Sequence, residues 1–273
     1  MKISFTKMQG LGNDFVVLDN RDGSLKGFSG LSKRLCDRRF GIGADQVLVI
    51  ENSDKADFRM LIYNADGSEV EMCGNGIRCF AKYLWDRGIS DRQVLAIDTI
   101  AGIIRPEKAG DMVSVDMGEP VLDGRKIPVD LDGPVKDYPL AVGGRTFEIT
   151  CISMGNPHAV IVIEDLERFE VSFYGPLIER HPLFPNRTNV EFIQPVDRTH
   201  LRMRVWERGA GETMACGTGA SAAAVAANLK GIADRKVHML LAGGELIIDW
   251  RENGRVFMTG PAVEVFEGTI SLP

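Results

Sequence analysis

The sequence has no apolar run near the roughly 20 residues of a membrane-spanning helix, which argues against a helical membrane anchor. It has no long basic run, and its formal charge is 32 − 38 = −6. Nucleic acid and anionic membranes are therefore poor partners for it. Histidine is scarce, at four in 273 residues, and no cysteine pair has the Cys-x-x-Cys spacing of a structural zinc site. No bound metal is expected. The stretch Gly41-Ile-Gly-Ala-Asp-Gln46 lacks the third glycine and the following helix of a dinucleotide-binding turn. Cysteines number five, an odd count that argues for reduced thiols. Free thiols point to a reducing compartment, so the expected location is the cytoplasm, and the opening Met-Lys-Ile-Ser-Phe reads as a strand rather than a signal peptide. What is present is enough apolar material, 44% of residues, for one large domain or two ordinary ones.

One short device occurs twice. Glu71 to Cys79 reads EMCGNGIRC, and Met214 to Ser221 reads MACGTGAS. The two leading cysteines differ by 216 − 73 = 143. Sliding the chain by that offset aligns 12–94 with 155–237 without a gap, giving 20 identities in 83 positions. Average composition would give roughly five. Gly12-Asn13 falls on Gly155-Asn156, Arg59-Met60 on Arg202-Met203, and Glu69 on Glu212. Beyond this stretch the offset becomes 141, and Ala101-Gly102 meets Ala242-Gly243. The chain is a tandem duplication, and two copies predict a pseudo-symmetric pair of domains.

Each half has the same order of elements. A strand precedes the Gly-Asn pair and another follows it (FVVLD, HAVIVIED). A helical segment is expected from about Ser32 or Pro176. Two further strands follow (DQVLVIE then DFRMLIYN; NVEFIQP then HLRMRVWE). The Cys-Gly device then opens a helix that ends at Gly88 or Gly231. In the second half this helix, ASAAAVAANL, has almost no polar face and should be buried all round. The expected fold is α+β: two pseudo-symmetric domains, each a curled, mainly antiparallel sheet wrapped around a central helix. Residues 121–144, rich in Pro, Asp and Gly, read as a linker. The tail AVEVFEGTISL alternates and reads as one more strand.

The glycines of the device allow helix-start N–H groups to approach an anion closely. The cysteine sits just before them, where a helix start lowers a thiol's pKa. Two such sites could grip one carboxylate and set two sulfurs on opposite sides of the carbon beside it. That arrangement suits inversion at the α-carbon of an amino acid, with one thiolate removing a proton and the other thiol returning one. The halves differ where a substrate would be asymmetric. His158 stands at the place of Phe15, Glu207 at that of Asn64, Asn189 at that of Gln46, and Arg208 at that of Ala65. Glu207 and His158 could set the protonation of the thiols. Arg208 could hold a second carboxylate in bidentate fashion. Asn13, Asn64, Asn156 and Asn189 could bond ammonium and carboxylate groups.

The segments GLGNDF, NADGSEVEMCGNGIRC, SMGNPH, ERGAGETMACGTGA and MTGPA closely resemble the diaminopimelate epimerase family, in order and over nearly the whole chain. The resemblance implies an enzyme without cofactor, independent of pyridoxal phosphate, that interconverts LL- and meso-2,6-diaminopimelate on the route to lysine and peptidoglycan precursors. It makes Cys73 and Cys216 the catalytic pair, with Cys216 the proton acceptor and Cys73 the donor from LL to meso. It assigns the reacting carboxylate to the backbone of Gly74-Asn75 and Gly217-Thr218. Asn13, Gln46, Asn64, Asn156, Asn189, Glu207 and Arg208 match its other substrate contacts, and His158 with Glu207 match the pair that tunes the thiols. It implies a homodimer, and a C-terminal strand, 263–273, that returns to the first half, 1–118, leaving 119–262 as the second. Phe266 stands where relatives often have Tyr in a segment used for dimer contact.

Other residues have plainer readings. Cys36, Cys79 and Cys151 have no cysteine counterpart in the other half and read as packing. Glu69 and Glu212 recur in both halves and read as loop anchors. Two rival functions remain at this level: another isomerase on the same fold, such as a proline racemase, or a non-catalytic amino-acid binding protein.

Overall fold

The computed structural model describes residues 2–271. The first half of the chain forms β1 (Lys2–Gly10), β2 (Asn13–Asp19), α1 (Phe28–Cys36), β3 (Gln46–Glu51), β4 (Phe58–Asn64), α2 (Gly74–Asp86), β5 (Ile97–Thr99), β6 (Gly102–Ile104), β7 (Pro106–Ala109) and β8 (Met112–Gly118). Then come β9 (Tyr138–Val142), β10 (Arg145–Ser153), β11 (Pro157–Val162), α3 (Val171–Glu179), β12 (Asn189–Pro195), β13 (His200–Glu207), β14 (Gly211–Thr213) and α4 (Gly217–Leu229). The chain ends with β15 (Lys236–Leu241), β16 (Gly244–Trp250), β17 (Val256–Gly260) and β18 (Val263–Ser271). It divides into two compact units, Met1–Val115 with Thr259–Pro273, and Asp116–Met258.

The fold is α+β, and the duplication is visible in the element bounds. Shifted by 143, β1 falls on β10, α1 on α3 and α2 on α4, residue for residue. In the first unit the sheet order is β18-β1-β2-β3-β4-β5-β6. Four of its six pairings are antiparallel, and β2–β3 and β4–β5 are parallel. In the second unit the order runs β17-β16-β15-β13-β12-β11-β10-β9, with β14 beside β13. Its parallel pairs are β11–β12 and β13–β15.

The central strands are buried on both faces, so strand alternation assigns residues to two cores. In the first unit Val16, Leu18, Val47 and Val49 pack with Leu31 and Leu35 of α1. Phe15 and Leu48 point the other way, to the start of α2. In the second unit Ala159, Ile161, Val190 and Phe192 pack with Val171 and Ile178 of α3. Glu191, between Val190 and Phe192, points the other way to the start of α4, and His158 bonds it. That helix is buried from Gly219 to Ala227 and touches β10, β11, β12, β15 and β16. Only small side chains let strands approach a helix on so many sides.

Two expectations are corrected. The early helices begin at Phe28 and Val171, four or five residues before the positions expected, and Pro176 lies inside α3. The apolar face that each helix buries outweighs the local signal at Ser32 and Pro176. Residues 121–144 are not a linker. Ile127, Val129, Val135, Leu140 and Val142 belong to the core of the second unit, and 138–142 form the strand β9 beside β10. The Pro, Asp and Gly residues there make turns between buried anchors.

Candidate active site

In each unit the loop before the central helix places a cysteine at the N-cap. Cys73 (φ −137°, ψ 118°) precedes α2, and Cys216 (φ −130°, ψ 114°) precedes α4. Both are extended, so the chain turns into the helix at the next residue and the first helical N–H groups stay outside the intrahelical ladder.

Around Cys73 lie amide groups, with the Arg78 cation nearby. The thiolate or thiol Sγ accepts from the N–H of Gly76 at 3.4 Å and lies 3.6 Å from Asn13 Oδ1. Asn75 also donates to Asn13 Oδ1, at 3.3 Å. Asn13 is in turn held by Asp45, whose Oδ2 accepts from its amide at 2.8 Å. Asp45 and Asp14 are both gripped by Arg38, and Lys7 bonds Asp14 at 2.7 Å. Burial opposes ionisation of Asp14, yet Arg38 and Lys7 outweigh it and hold its carboxyl far below the usual range. This ionic knot fixes the loop that presents Asn13. Beside it Gln46 donates to Asn64 Oδ1 at 2.8 Å across the β3–β4 pair, and Asn64 donates to Ser68. Gln46 Oε1 is buried without a hydrogen-bond partner among the described residues.

Sequence reasoning missed Arg78. Its side chain is fully buried in α2, donating to the Gly74 carbonyl at 3.1 Å, Asn75 Oδ1 at 2.9 Å and the Pro261 carbonyl at 3.1 Å. Burial lowers its pKa, while the nearby cysteines Cys79 and Cys73 favour the cation. No local pattern marks an arginine in IRC as interior.

Around Cys216 the neighbours are acidic. The thiol is buried and 3.5 Å from the Thr218 hydroxyl. Burial pushes its pKa well up, and Glu207 and Glu191 add to the shift. This corrects the expectation that the helix start lowers this thiol's pKa. Desolvation and two carboxylates outweigh one helix terminus. Glu207 accepts a short hydrogen bond from the Thr213 hydroxyl. His158, wholly buried, bonds Asn156 Oδ1 through Nε2 at 3.0 Å and Glu191 Oε1 through Nδ1 at 2.7 Å. Burial raises the Glu191 pKa and His158 opposes the rise. Glu191 too was missed. The repeat contained its signal, since Leu48 stands at the same place in the first half.

The remaining second-unit candidates cluster at the turn after β13. Asn189 accepts from the Arg208 N–H at 2.9 Å and donates to the Pro157 carbonyl at 2.8 Å. Arg208 itself is exposed, with one bond to the Asn186 carbonyl at 3.2 Å. Buried Glu179 of α3 anchors this turn, accepting from Gly209 N–H at 3.1 Å and Trp206 Nε1 at 2.8 Å. Phe266 is apart from all of these. It is half exposed on β18, edge-on to Phe5 at 5.9 Å, with Val263 and Val265 exposed nearby. The Glu69 carboxylate accepts from the Tyr63 hydroxyl at 3.5 Å, and that of Glu212 accepts from Arg204 Nε at 2.7 Å and the Ser172 hydroxyl at 3.5 Å.

Solved structures share the architecture. A phenazine biosynthesis protein of the PhzF family from Bacillus anthracis matches with a TM-score of 0.73 at 18% identity, covering 100% of both chains. A hydroxyproline epimerase from Agrobacterium vitis matches with a TM-score of 0.70 at 14% identity, over 99% of this chain and 93% of that one. The duplicated α+β unit has a cysteine at the N-cap position of the central helix in each copy, and the relatives below make it an epimerase of the kind that works without pyridoxal phosphate. The profile of the diaminopimelate epimerase family matches residues 5–122 and 150–265. Diaminopimelate epimerases from Moorella thermoacetica and Acetivibrio thermocellus are 54% and 49% identical, each over 98% of this chain and 98–99% of their own length. The chain belongs to the diaminopimelate epimerase family.

Proposed function

We propose that this protein converts LL-2,6-diaminopimelate to the meso form by proton transfer at one α-carbon, with Cys216 accepting the proton and Cys73 returning one to the opposite face. The observation that carries this reading is the repetition of a thiol at the N-cap of a buried helix in both units of a family member. The difficulty of the reaction is the weak acidity of the α-C–H bond. N–H groups of Gly74-Asn75 and Gly217-Thr218 would stabilise the charge that grows on the carboxylate as that bond breaks. A thiolate suits the task because its charge is diffuse and less costly to desolvate than a carboxylate.

The other candidates divide the substrate between them. Arg208, exposed and free to reorient, would pair with the distal carboxylate. Gln46 Oε1 and Asn64, with Asn13, Asn156, Asn189 and Glu207, would receive ammonium and carboxylate groups. The product is a precursor of lysine and peptidoglycan. Two copies would associate through β18, where Phe266, Val263 and Val265 leave an apolar strip exposed.

The test is incubation of the purified protein with LL-diaminopimelate in deuterated water, without added pyridoxal phosphate or metal. Chiral chromatography should show the meso isomer, and its new α-position should carry deuterium. L-proline and 4-hydroxyproline, run alongside, should stay unchanged. Conversion of either in place of diaminopimelate would assign the protein to a different substrate, and no exchange at all would make it a binding protein.

A further inference from the structure

The two helix starts share helix length and N-cap dihedrals but not what lies beneath them. Under α2, a Cβ added at Gly76 would meet Leu48 Cδ2 at 3.2 Å, Cys73 Cβ at 3.3 Å and Phe15 Cε1 at 3.5 Å. Under α4, a Cβ at Gly219 would meet Glu191 Oε1 at 2.6 Å and both Cβ and Sγ of Cys216 at 3.3 Å. The same two repeat positions, one on β2 or β11 and one on β3 or β12, thus hold Phe15 and Leu48 in one copy and His158 and Glu191 in the other. The missing Cβ at Gly219 is what lets a carboxyl oxygen sit against the helix start, within two contacts of Cys216.

A wholly buried histidine and glutamate, bonded at 2.7 Å through Nδ1 and Oε1, are costly to keep. Packing does not require them, because the first unit fills the same space with apolar side chains. We propose that the Glu191–His158 couple is a positioning device that keeps the proton on Cys216, Glu191 acting as the fixed negative end beside that thiol. In a two-thiol reaction one sulfur must start ionised and the other protonated. A pair of identical sites would have no preference, and Glu191 supplies one by sending the charge away from Cys216: the free chain then rests in the form that acts on the meso isomer, and in the less populated form that acts on the LL isomer the Cys216 thiolate is the stronger base. The groups that act on Cys216 are Glu207 from β13 and Glu191 from β12, which favour the thiol, and the Thr218 hydroxyl and Gly219 N–H of its own helix, which oppose them. Those that act on Glu191 are His158 from β11 and Glu207, and Glu191 in turn acts on Cys151 of β10. Among these Glu191 alone is both wholly buried and aimed at the helix start. This inference rests on Cys216 being a proton-transfer group, but its test reads the thiol without turnover, so the two can fail separately.

The experiment is pulsed alkylation of the full chain with iodoacetamide between about pH 6 and pH 10. Peptides containing Cys73 and Cys216 are quantified separately by mass spectrometry. Alkylation follows the thiolate fraction. In Glu191→Gln, Cys216 should react at least about threefold faster at a given pH below its midpoint, with the whole profile moved toward acid, while Cys73 keeps its rate within about twofold. Cys79 and Cys151, both buried, serve as controls and should stay unreactive in a folded variant. The double variant His158→Phe/Glu191→Leu, which installs the pair of the first unit, should show the same acceleration and carries the test if Glu191→Gln does not fold. An unchanged Cys216 profile, or equal acceleration of both cysteines, would overturn the proposal.

Discussion

A methyl group added at the third residue of each central helix separates the two units sharply. Gly76 and Gly219 are equivalent, and both have ordinary helical backbone, so alanine is compatible with either conformation. Replacing glycine by alanine favours a helix by up to about 1 kcal/mol. At Gly76 the new methyl would meet carbon atoms at 3.2–3.5 Å, close contacts that a few tenths of an ångström relieve. Gly76→Ala should therefore be within about 1 kcal/mol of the parent. At Gly219 the methyl would lie 2.6 Å from Glu191 Oε1, the oxygen bonded to His158. The carboxyl must move by more than half an ångström, roughly, in a packed core. Overpacking costs about 1–3 kcal/mol, and loss of a hydrogen bond to a charged group about 1.5–3. Less the helical gain, Gly219→Ala should lose about 2–4 kcal/mol. Urea unfolding followed by tryptophan fluorescence measures both, since Trp85 reports on the first unit and Trp206 and Trp250 on the second. Equal stability of the two variants would refute the reasoning, because it would mean that the Glu191 carboxyl does not occupy the space above Gly219.

Further outcomes follow from the same structure. Cys73→Ala and Cys216→Ala should each lower epimerisation by about 10²–10⁴-fold or more, read by chiral chromatography; substantial inversion by either would rule out a two-thiol mechanism. Arg208→Met should weaken substrate binding by about 2–5 kcal/mol in calorimetry, and unchanged affinity would make Arg208 an ordinary surface turn residue. Phe266→Asp should give a monomer in sedimentation, and a surviving dimer would move the interface off β18. Burial pushes the Cys79 thiol up to about 12, and Cys151 and Cys216 well up too. These groups keep their protons in the folded chain after the unfolded chain has lost them near its ordinary value of 9.0. Stability should be unaffected by them below about pH 8 and fall above pH 9, by up to about 1.4 kcal/mol per pH unit for each thiol. Urea titrations at successive alkaline pH values test the slope, and a flat profile would contradict the burial of these cysteines.

The duplication, the order of the strands and helices repeated in both halves, and the two cysteines opening equivalent helices were legible in the sequence. Each is a local or periodic property: a fixed offset, an alternation of two, a small residue pattern before an apolar run. The same reading mistook 121–144 for a linker, because Pro, Asp and Gly report turns and say nothing of the buried Ile127, Val129 and Leu140 between them. What only the tertiary structure decided is electrostatic. Glu191 lies 33 positions from His158, and their bond exists because β11 and β12 run parallel side by side. Glu179 reaches the Arg208 turn from another helix, and Arg78 is interior only because α2 is enclosed. The protonation of Cys216 was misjudged for the same reason. A helix start is visible in sequence, but the burial and the two carboxylates that outweigh it come from segments brought together by folding.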